Sequence, residues 1–157
     1  ADTSLIQCTI YFRYYLNQAL KASGLGDQFL DNLQIWRDQM ALGLTTWAEM
    51  PEPSRSDCHA WGASPNIEFY RILLGIDSDA PGFRKIRIAP SLGKLKEVSG
   101  TIPHPLGSVT AVYKLDERGE GTARLVLPEG TTGIFIWDGK EIPLKPGEQV
   151  ISLSSRH

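Results

Sequence analysis

The spacing of apolar residues changes about halfway along the 157-residue chain. Up to residue 77 the apolar positions show no strand-like alternation and fall largely on helical faces. From residue 78 they alternate with polar residues in short runs that glycine and proline separate, which is typical of strands and turns. The pattern predicts helices over residues 1–77 and an all-β domain over residues 78–157, and therefore an α+β fold.

The first predicted helix, Ser4–Ala22, is apolar around most of its circumference. Thr3 or Ser4 can cap its start, and Gly24 can end it in the left-handed conformation. A helix of this kind is normally surrounded by other helices, and the rest of this chain can hardly supply all of those neighbours. Either the chain is the C-terminal piece of a larger protein, or it associates with itself through this half.

Two more helices are predicted before the strands begin. The second, Asp27–Leu42, ends before Gly43 and carries one apolar stripe with a helical period, which consists of Phe29, Leu33, Trp36 and Met40. The third, Cys58–Leu74, ends before Gly75.

Six short strands are predicted in the second half, over residues 84–89, 95–102, 109–115, 123–127, 133–137 and 150–153. Their spacing of about ten residues indicates an antiparallel β-sandwich. Asp138-Gly139 follows an apolar run and predicts a tight hairpin. His104, between Pro103 and Pro105, is predicted to be a surface residue in a turn.

Composition narrows the range of partners. The net charge is −2, which gives no basic field for nucleic acid or an anionic membrane, and no apolar run approaches the roughly 20 residues that span a bilayer. The N-terminus lacks the basic and apolar regions of a signal peptide, and the compartment stays open: a periplasmic, a secreted and a cytoplasmic parent all fit. No metal-ligand spacing or nucleotide motif is present, so neither a metal nor a cofactor is predicted.

Two cysteines, Cys8 and Cys58, lie about fifty residues apart. Two cysteines do not make a disulfide framework, and two buried or half-buried thiols are the favoured interpretation. A bridge between them stays open, because sequence alone does not give the distance between the two residues.

The segment Thr45–Pro65 is predicted to be a long irregular loop, because three prolines interrupt it. Loops of this length in compact domains are often functional. This one contains a carboxylate, a guanidinium, an imidazole and two indoles, which belong to Glu49, Arg55, His59, Trp47 and Trp61. A carboxylate beside apolar surface can act as a general base, an imidazole can donate a hydrogen bond to a hydroxyl, and an indole face suits the C–H face of a sugar ring. The combination is that expected of a glycoside site.

Structural interpretations compete with this one. Glu49 can be a solvated loop acid, and His59 can cap the third helix or fill a polar pocket. The tryptophans are more often core anchors, and Arg55 can pair with Asp57 to fix the loop. On the residues alone, carbohydrate chemistry is the minority hypothesis.

An ordered series of motifs changes that balance. SRSDCHAWGASP, LLGI, APGF, IRIAPSLG and LKEVSGTIPHPLGSV follow one another between Thr45 and Tyr113. This series resembles the C-terminal region of bacterial α-L-rhamnosidases of glycoside hydrolase family 78. No motif is specific alone, but their order and intervals are fairly specific, and residues 1–44 and 114–157 fit the family more loosely.

The resemblance implies a fold. Residues 1–77 correspond to the last helices of an (α/α)6 barrel, and residues 78–157 to the β-sandwich that follows it. The neighbours that the first helix lacks would then be earlier helices of the barrel, in the missing N-terminal part of the same enzyme.

The resemblance also implies inverting hydrolysis of terminal α-L-rhamnosides, in which an acid protonates the leaving oxygen and a base activates water. It places the general base at Glu49, with Glu52 as a weaker candidate because Ala48 separates Trp47 from Glu49. His59 matches a histidine that contacts the sugar, and Trp47 is assigned to substrate binding. The general acid has no match in this chain, which is therefore expected to be inactive alone towards a rhamnose-containing oligosaccharide or glycoside.

Two alternatives stay open. The chain can be a non-catalytic carbohydrate-binding or structural β-sandwich module, for which Tyr113 and Trp137 are the only prominent aromatic candidates in the second half. It can also be an obligate oligomer that completes its helical layer with a second copy.

Overall fold

The computed structural model describes residues 6–154 of the chain. These residues form two compact units, of which the first ends at Glu68 and the second begins at Phe69, whereas the sequence places the domain boundary at residues 77–78. Over the described range, no helix combines the length and the apolar character needed to cross a membrane.

The first unit consists of short helical elements. Its α-helices are α1 (Ile10–Ala22), α2 (Gln34–Ala41) and α3 (Pro65–Glu68), and its 3₁₀ turns lie at Gly26–Gln28, Leu30–Leu33 and Ala60–Ala63.

Helix α1 begins later than the sequence predicts and ends where it predicts. Residues 6–9 are not helical, and the Thr9 hydroxyl caps the helix by accepting a hydrogen bond from the Phe12 N–H at 3.3 Å. The predicted caps Thr3 and Ser4 lie outside the described residues. At the other end Gly24 has a φ of 77°, and the Leu25 N–H donates to the Leu20 carbonyl at 2.8 Å, as in a Schellman cap.

The second predicted helix is regular only over its last eight residues, because two 3₁₀ turns precede α2. Phe29, Leu33 and Trp36 are buried as the stripe predicts, but Met40 is 63% exposed. Within α2 the buried residues are Trp36 and Gln39, so the inward face continues three residues after Trp36, at Gln39, instead of four residues after it, at Met40. The predicted stop at Gly43 is confirmed by its φ of 81°.

The third predicted helix is broken into a 3₁₀ turn, α3 and a π-helical turn at Phe69–Leu73 that opens the second unit. Pro65 starts α3, since proline suits the first turn of a helix and cannot continue one that is already running. Gly75 closes the segment with a φ of 76°. A Cβ at this position would lie 2.2 Å from the carbonyl carbon of Ala89, so the close approach requires glycine.

The second unit is built from eight strands in two four-stranded sheets, ordered β1-β2-β6-β7 and β3-β4-β5-β8. The strands are β1 (Ile76–Ser78), β2 (Lys85–Ile88), β3 (Glu97–His104), β4 (Gly107–Leu115), β5 (Gly121–Leu127), β6 (Thr132–Trp137), β7 (Lys140–Leu144) and β8 (Gly147–Leu153). The six predicted strands are confirmed, and β1 and β7 are additional.

One pairing departs from the predicted antiparallel sandwich. Strand β2 pairs with β6 in parallel, while every other strand pair in the described part of the chain is antiparallel. Parallel neighbours require a crossover connection, and here the chain leaves the first sheet after β2, builds β3, β4 and β5, and returns as β6.

Aromatic side chains fill the core of the second unit. Tyr113 and Phe135 are fully buried and Trp137 is 6% exposed, and the Phe135 ring lies 6.5 Å from that of Tyr113 and 6.4 Å from that of Trp137. Their polar atoms have partners within the unit, because the Tyr113 hydroxyl donates to the Leu74 carbonyl at 2.8 Å and the Trp137 N–H to the Ser154 carbonyl at 2.9 Å. Burial raises the pKa of Tyr113.

The sequence makes a prediction about each of two turns, and the structure confirms only one of them. The hairpin at Asp138-Gly139 is confirmed, with φ values of 49° and 71° that match a type I′ turn. The prediction that His104 is a surface residue is wrong, because its side chain is buried. Its Nδ1 accepts from the Leu106 N–H at 3.1 Å, so its Nε2 donates to the Phe83 carbonyl at 2.8 Å and ties two turns together.

Candidate functional site

Two backbone hydrogen bonds close the proline-rich loop between α2 and α3. The Glu49 N–H donates to the Ser56 carbonyl at 2.9 Å, and the His59 N–H donates to the Trp47 carbonyl at 2.7 Å. The two sides of the loop therefore run beside each other, and residues up to twelve positions apart in sequence become neighbours. This pairing brings together the residues that the sequence marks as a candidate site.

Arg55 holds the carboxylate of Glu49. Its Nε donates to Oε2 of Glu49 at 3.1 Å, and its Nη2 donates to Oε1. The Glu49 side chain is only 15% exposed, whereas that of Arg55 is 75% exposed. The predicted pairing of Arg55 with Asp57 is replaced by this one, because the loop sets Glu49 opposite Ser56 and so beside Arg55.

Trp47 forms the inner side of the same loop. Its Cβ lies 2.5 Å from the point that a Cβ of residue 62 would occupy, so the indole approaches Gly62 as closely as it does only because that residue has no side chain. The Gly62 carbonyl accepts from the Trp36 indole at 2.7 Å, and the next loop residue, Ala48, donates its N–H to Oε1 of Gln39 at 3.0 Å. Trp47 is thus fixed by its neighbours and partly exposed.

His59 is half-buried beside an indole. The centroid of its ring lies 4.3 Å from that of Trp61, and its buried Nδ1 has no hydrogen-bond partner among residues 6–154. The interpretation of His59 as a helix cap is wrong, because its side chain makes no capping hydrogen bond to the following turn. Its Nδ1 is therefore a buried polar atom for which the described residues supply no hydrogen bond.

An aromatic cleft that sequence reasoning missed lies next to Trp61. It has a volume of about 250 Å³ and is lined by Tyr11, Tyr14, Tyr15, Trp61, Ala63 and Ser64. The Trp61 ring meets that of Tyr11 edge-on at 5.6 Å, and a hydrogen bond with Tyr11 raises the pKa of Tyr15. The signal in the sequence is the tyrosine spacing of three and four residues, which places the rings on one helical face.

None of the three predicted site residues lines that cleft. Glu49, Trp47 and His59 are absent from its lining, and the His59 ring lies beside that of Trp61, which does line it. The structure thus presents a closed loop that carries a clamped carboxylate, and next to its histidine an open aromatic cleft.

A buried polar contact supports this arrangement and was not foreseen. Glu68 is fully buried, and its Oε1 accepts a hydrogen bond from Nε2 of Gln18. The contact joins α3 to α1, which carries the three tyrosines of the cleft.

No candidate metal centre is present in the described part of the chain, where no three His, Cys, Asp or Glu side chains are grouped for an ion. Cys8 and Cys58 are both exposed free thiols. The two cysteines are therefore unbridged, as the favoured interpretation has it, but the prediction that they are buried or half-buried is wrong, because both lie at the surface.

Comparison with known proteins identifies relatives. Residues 75–148 match the family described as "Bacterial alpha-L-rhamnosidase C-terminal domain". No curated protein sequence matches the chain.

Solved structures of rhamnosidases resemble the chain in fold. The α-L-rhamnosidase from Aspergillus terreus matches 89% of this chain with a TM-score of 0.78 and 20% sequence identity. A GH78 family rhamnosidase of Bacillus sp. GL1 matches 81% with a TM-score of 0.69 and 25% identity, and the α-L-rhamnosidase from Dictyoglumus thermophilum matches 80% with a TM-score of 0.69 and 21% identity.

The matched regions are small parts of those enzymes, since this chain spans 18%, 16% and 15% of the three relatives' lengths. The two sheets of the second unit agree with a rhamnosidase C-terminal β-sandwich. The resemblance stated from the sequence is confirmed by the match of residues 75–148 to the bacterial α-L-rhamnosidase C-terminal domain family.

Proposed function

We propose that the chain is the C-terminal part of an inverting α-L-rhamnosidase. In this proposal residues 1–77 supply the general-base side of the glycoside site, and residues 78–157 form the accessory β-sandwich. The observation that carries it is the Glu49 carboxylate, which is largely buried and clamped by Arg55 in a closed loop, in a chain whose second unit matches the rhamnosidase family.

Glu49 acts as the general base. Its carboxylate accepts a proton from a water molecule while that water's oxygen attacks the anomeric carbon from the face opposite the leaving group. A carboxylic acid in the upstream part of the enzyme protonates the leaving oxygen, so the configuration at the anomeric carbon is inverted. The two carboxyl groups of such a pair stand about 6.5–9.5 Å apart to admit the water.

His59 and Trp47 bind the sugar. The imidazole of His59, which is half-buried beside the Trp61 ring, donates a hydrogen bond to a sugar hydroxyl. Trp47 is held rigid against Gly62 and offers an apolar edge beside Glu49. The substrates are terminal α-L-rhamnosides of oligosaccharides or other glycosides.

The remaining wall of the site belongs to the missing N-terminal part of the enzyme. The helices of the first unit are the last helices of an (α/α)6 barrel, and the half-exposed rings of Tyr11, Phe12 and Tyr15 pack against earlier ones. Without the general acid, a factor of about 10²–10⁴ in rate is lost, so this chain alone does not turn over a rhamnoside.

The test is an assay on an aryl α-L-rhamnoside, run with the longer polypeptide that contains this chain and with residues 1–157 alone. We expect turnover only by the longer polypeptide, with β-L-rhamnose as the first product seen by NMR. Glu49→Gln should lower kcat at least about 10²-fold, and the matched control Glu52→Gln should stay near wild type. Turnover by the 157-residue chain that Glu49→Gln abolishes would overturn the fragment proposal, and an unaffected Glu49→Gln enzyme would overturn the base assignment.

Separated from its upstream part, the chain should self-associate through α1. The three exposed rings, 45–57% accessible, are the apolar surface that association would remove from water. Light scattering at several concentrations should show an apparent mass that rises with concentration for the wild type and not for the variant Tyr11→Ser, Phe12→Ser, Tyr15→Ser. A wild type that stays monomeric throughout contradicts this expectation.

The alternative of a carbohydrate-binding sandwich is not favoured. Tyr113 and Trp137, its aromatic candidates, are both buried and make hydrogen bonds inside the second unit. Neither ring has a face free for a sugar.

A further inference from the structure

We propose that Arg55 is a positioning residue of the glycoside site, which acts by fixing the orientation of the Glu49 carboxylate. This role rests on the proposed function of Glu49 as general base. The interaction that carries it is the two-point contact between one edge of the guanidinium and both carboxylate oxygens.

The geometry of this contact fixes orientation as well as distance. The guanidinium is planar and its Nε and Nη2 hydrogens point in parallel, so a carboxylate that meets both is held in one plane. A single point charge would attract the carboxylate but would leave its rotation free. Since the Glu49 side chain is 15% exposed, little water competes for its oxygens.

The backbone around Arg55 is fixed as well. Ser56, which follows it, accepts the Glu49 N–H at 2.9 Å, and the hydroxyl of Ser54, which precedes it, donates to the Ser56 carbonyl at 2.9 Å. The loop therefore fixes the backbone position from which the Arg55 side chain extends, and Glu49 lies directly across the loop from it. Most surface ion pairs lack this support.

The contact leaves Glu49 able to act as a base. A carboxylate has about four lone-pair positions, and Arg55 occupies one on each oxygen. The other lone pairs remain for a water molecule, whose direction of approach is then set by the plane of the clamped carboxylate. A general base must lie within hydrogen-bond reach of its proton and be aimed at it, and misplacement by about 1 Å can cost about 10²-fold in rate.

The experiment is steady-state kinetics of the longer polypeptide on an aryl α-L-rhamnoside. Arg55→Ala should lower kcat about 10-fold to 100-fold with KM changed less than about threefold, because the arginine orients the base and does not bind the sugar. Arg55→Lys should recover only part of the loss, since an ammonium has the charge without the planar fork. Arg124→Ala, which removes a similar arginine–glutamate pair in the second unit, is the matched control and should leave kcat unchanged.

A double variant separates positioning from a general structural effect. In the Glu49→Gln background the further change Arg55→Ala should lower kcat by less than about twofold, because the carboxylate on which the arginine acts is already gone. A full additional loss in this background would overturn the role, as would wild-type kcat in Arg55→Ala when Glu49→Gln is inactive. No turnover by the wild type would instead overturn the proposed function and this role with it.

If Arg55→Ala fails to fold, a second measurement tests the contact between Arg55 and Glu49. In ¹H–¹⁵N spectra of the wild-type 157-residue chain, the Arg55 Nε–H should exchange slowly with solvent, and it should exchange at least about tenfold faster in Glu49→Gln, where a neutral amide offers one acceptor instead of two. Equal exchange rates in the two proteins would overturn the proposed contact and with it the positioning role.

Discussion

Helix α1 of the first unit and the sheets of the second unit differ in how far they bury aromatic residues. In the second unit Phe135 and Tyr113 are fully buried, whereas in the first Phe12 is 57% and Tyr15 51% exposed. A sheet buries an aromatic side chain against a second sheet of the same unit, while a helix needs neighbours on each of its apolar faces. Residue type therefore does not decide burial here, and the architecture around each element does.

The two units also differ in whether their buried polar groups have hydrogen-bond partners. In the second unit both ring nitrogens of His104 and the Tyr113 hydroxyl have partners. In the first unit Asn17 is 1% exposed, yet neither its amide nitrogen nor its oxygen has a partner in the described range, and the same holds for Nε2 of Gln39. Since buried polar groups are nearly always hydrogen-bonded, the unpartnered atoms of the first unit favour the proposal that further segments pack against it.

The strongest test of this contrast makes one substitution in each unit. Phe135→Ala should lower the free energy of unfolding by about 3–5 kcal/mol because it leaves a cavity in a closed core, whereas Phe12→Ala should change it by less than about 0.5 kcal/mol. Urea unfolding of the 157-residue chain, followed by circular dichroism, measures both. Similar losses of unfolding free energy in the two variants would contradict the contrast between the units. In the longer polypeptide, where earlier helices cover α1, Phe12→Ala should become clearly destabilising.

Two glycines with the same backbone angle give the next test. Gly75 and Gly24 have φ values of 76° and 77°, but a Cβ at Gly75 would meet backbone atoms of Ala89 and Pro90 within 2.4 Å, whereas one at Gly24 would meet nothing within 4 Å. Gly24→Ala should cost about 1–2 kcal/mol for the left-handed conformation. Gly75→Ala should cost about 1–3 kcal/mol more for the overlap, measured as the difference between the urea midpoints of the two variants. Equal midpoints would show that the turn at Gly75 can move.

A smaller effect is expected from single hydroxyl groups. Tyr113→Phe removes the donor to the buried Leu74 carbonyl and should cost about 1–3 kcal/mol, while Tyr11→Phe, at a position 45% exposed, should be nearly neutral. Thermal unfolding of the two variants side by side checks the difference. A neutral Tyr113→Phe would mean that the carbonyl finds another donor.

The smallest effect concerns pH. Hydrogen bonds from the backbone N–H groups of Glu120 and then Arg118 lower the pKa of Asp116 in the turn between β4 and β5. A carboxylate whose pKa is lower in the folded state stabilises the fold above its unfolded value of about 3.9, and this contribution is lost as pH falls through the folded pKa. Asp116→Asn should therefore flatten the loss of the second unit's thermal stability below pH 4 relative to wild type, and an unchanged pH profile would contradict the assignment.

The sequence predicted the features that local chemistry controls. The stops at Gly24, Gly43 and Gly75 were found because glycine adopts a positive φ at little cost. The hairpin at Asp138-Gly139 was found for the same kind of reason. Six of the eight strands were visible from alternation.

The additional strands and the sheet order were not visible. Strand β1 has three residues, too few to show a period. Strand β7 contains Pro143, which argues against a strand and is tolerated here because β7 lies at the edge of its sheet. The parallel pairing of β2 with β6 joins segments more than forty residues apart, and no local pattern encodes such a pairing.

For the candidate site, the sequence by itself gathered Glu49, Arg55, Trp47 and His59 on one loop and, through an ordered series of motifs, named the family of the second half. The assignments of base and sugar contacts remain predictions. Only the tertiary structure decided that Arg55 clamps Glu49 and that His104 is buried, because both depend on which distant backbone lies opposite. Local patterns record what one stretch of chain prefers, whereas hydrogen bonds across a loop or between turns depend on where the rest of the chain places their partners.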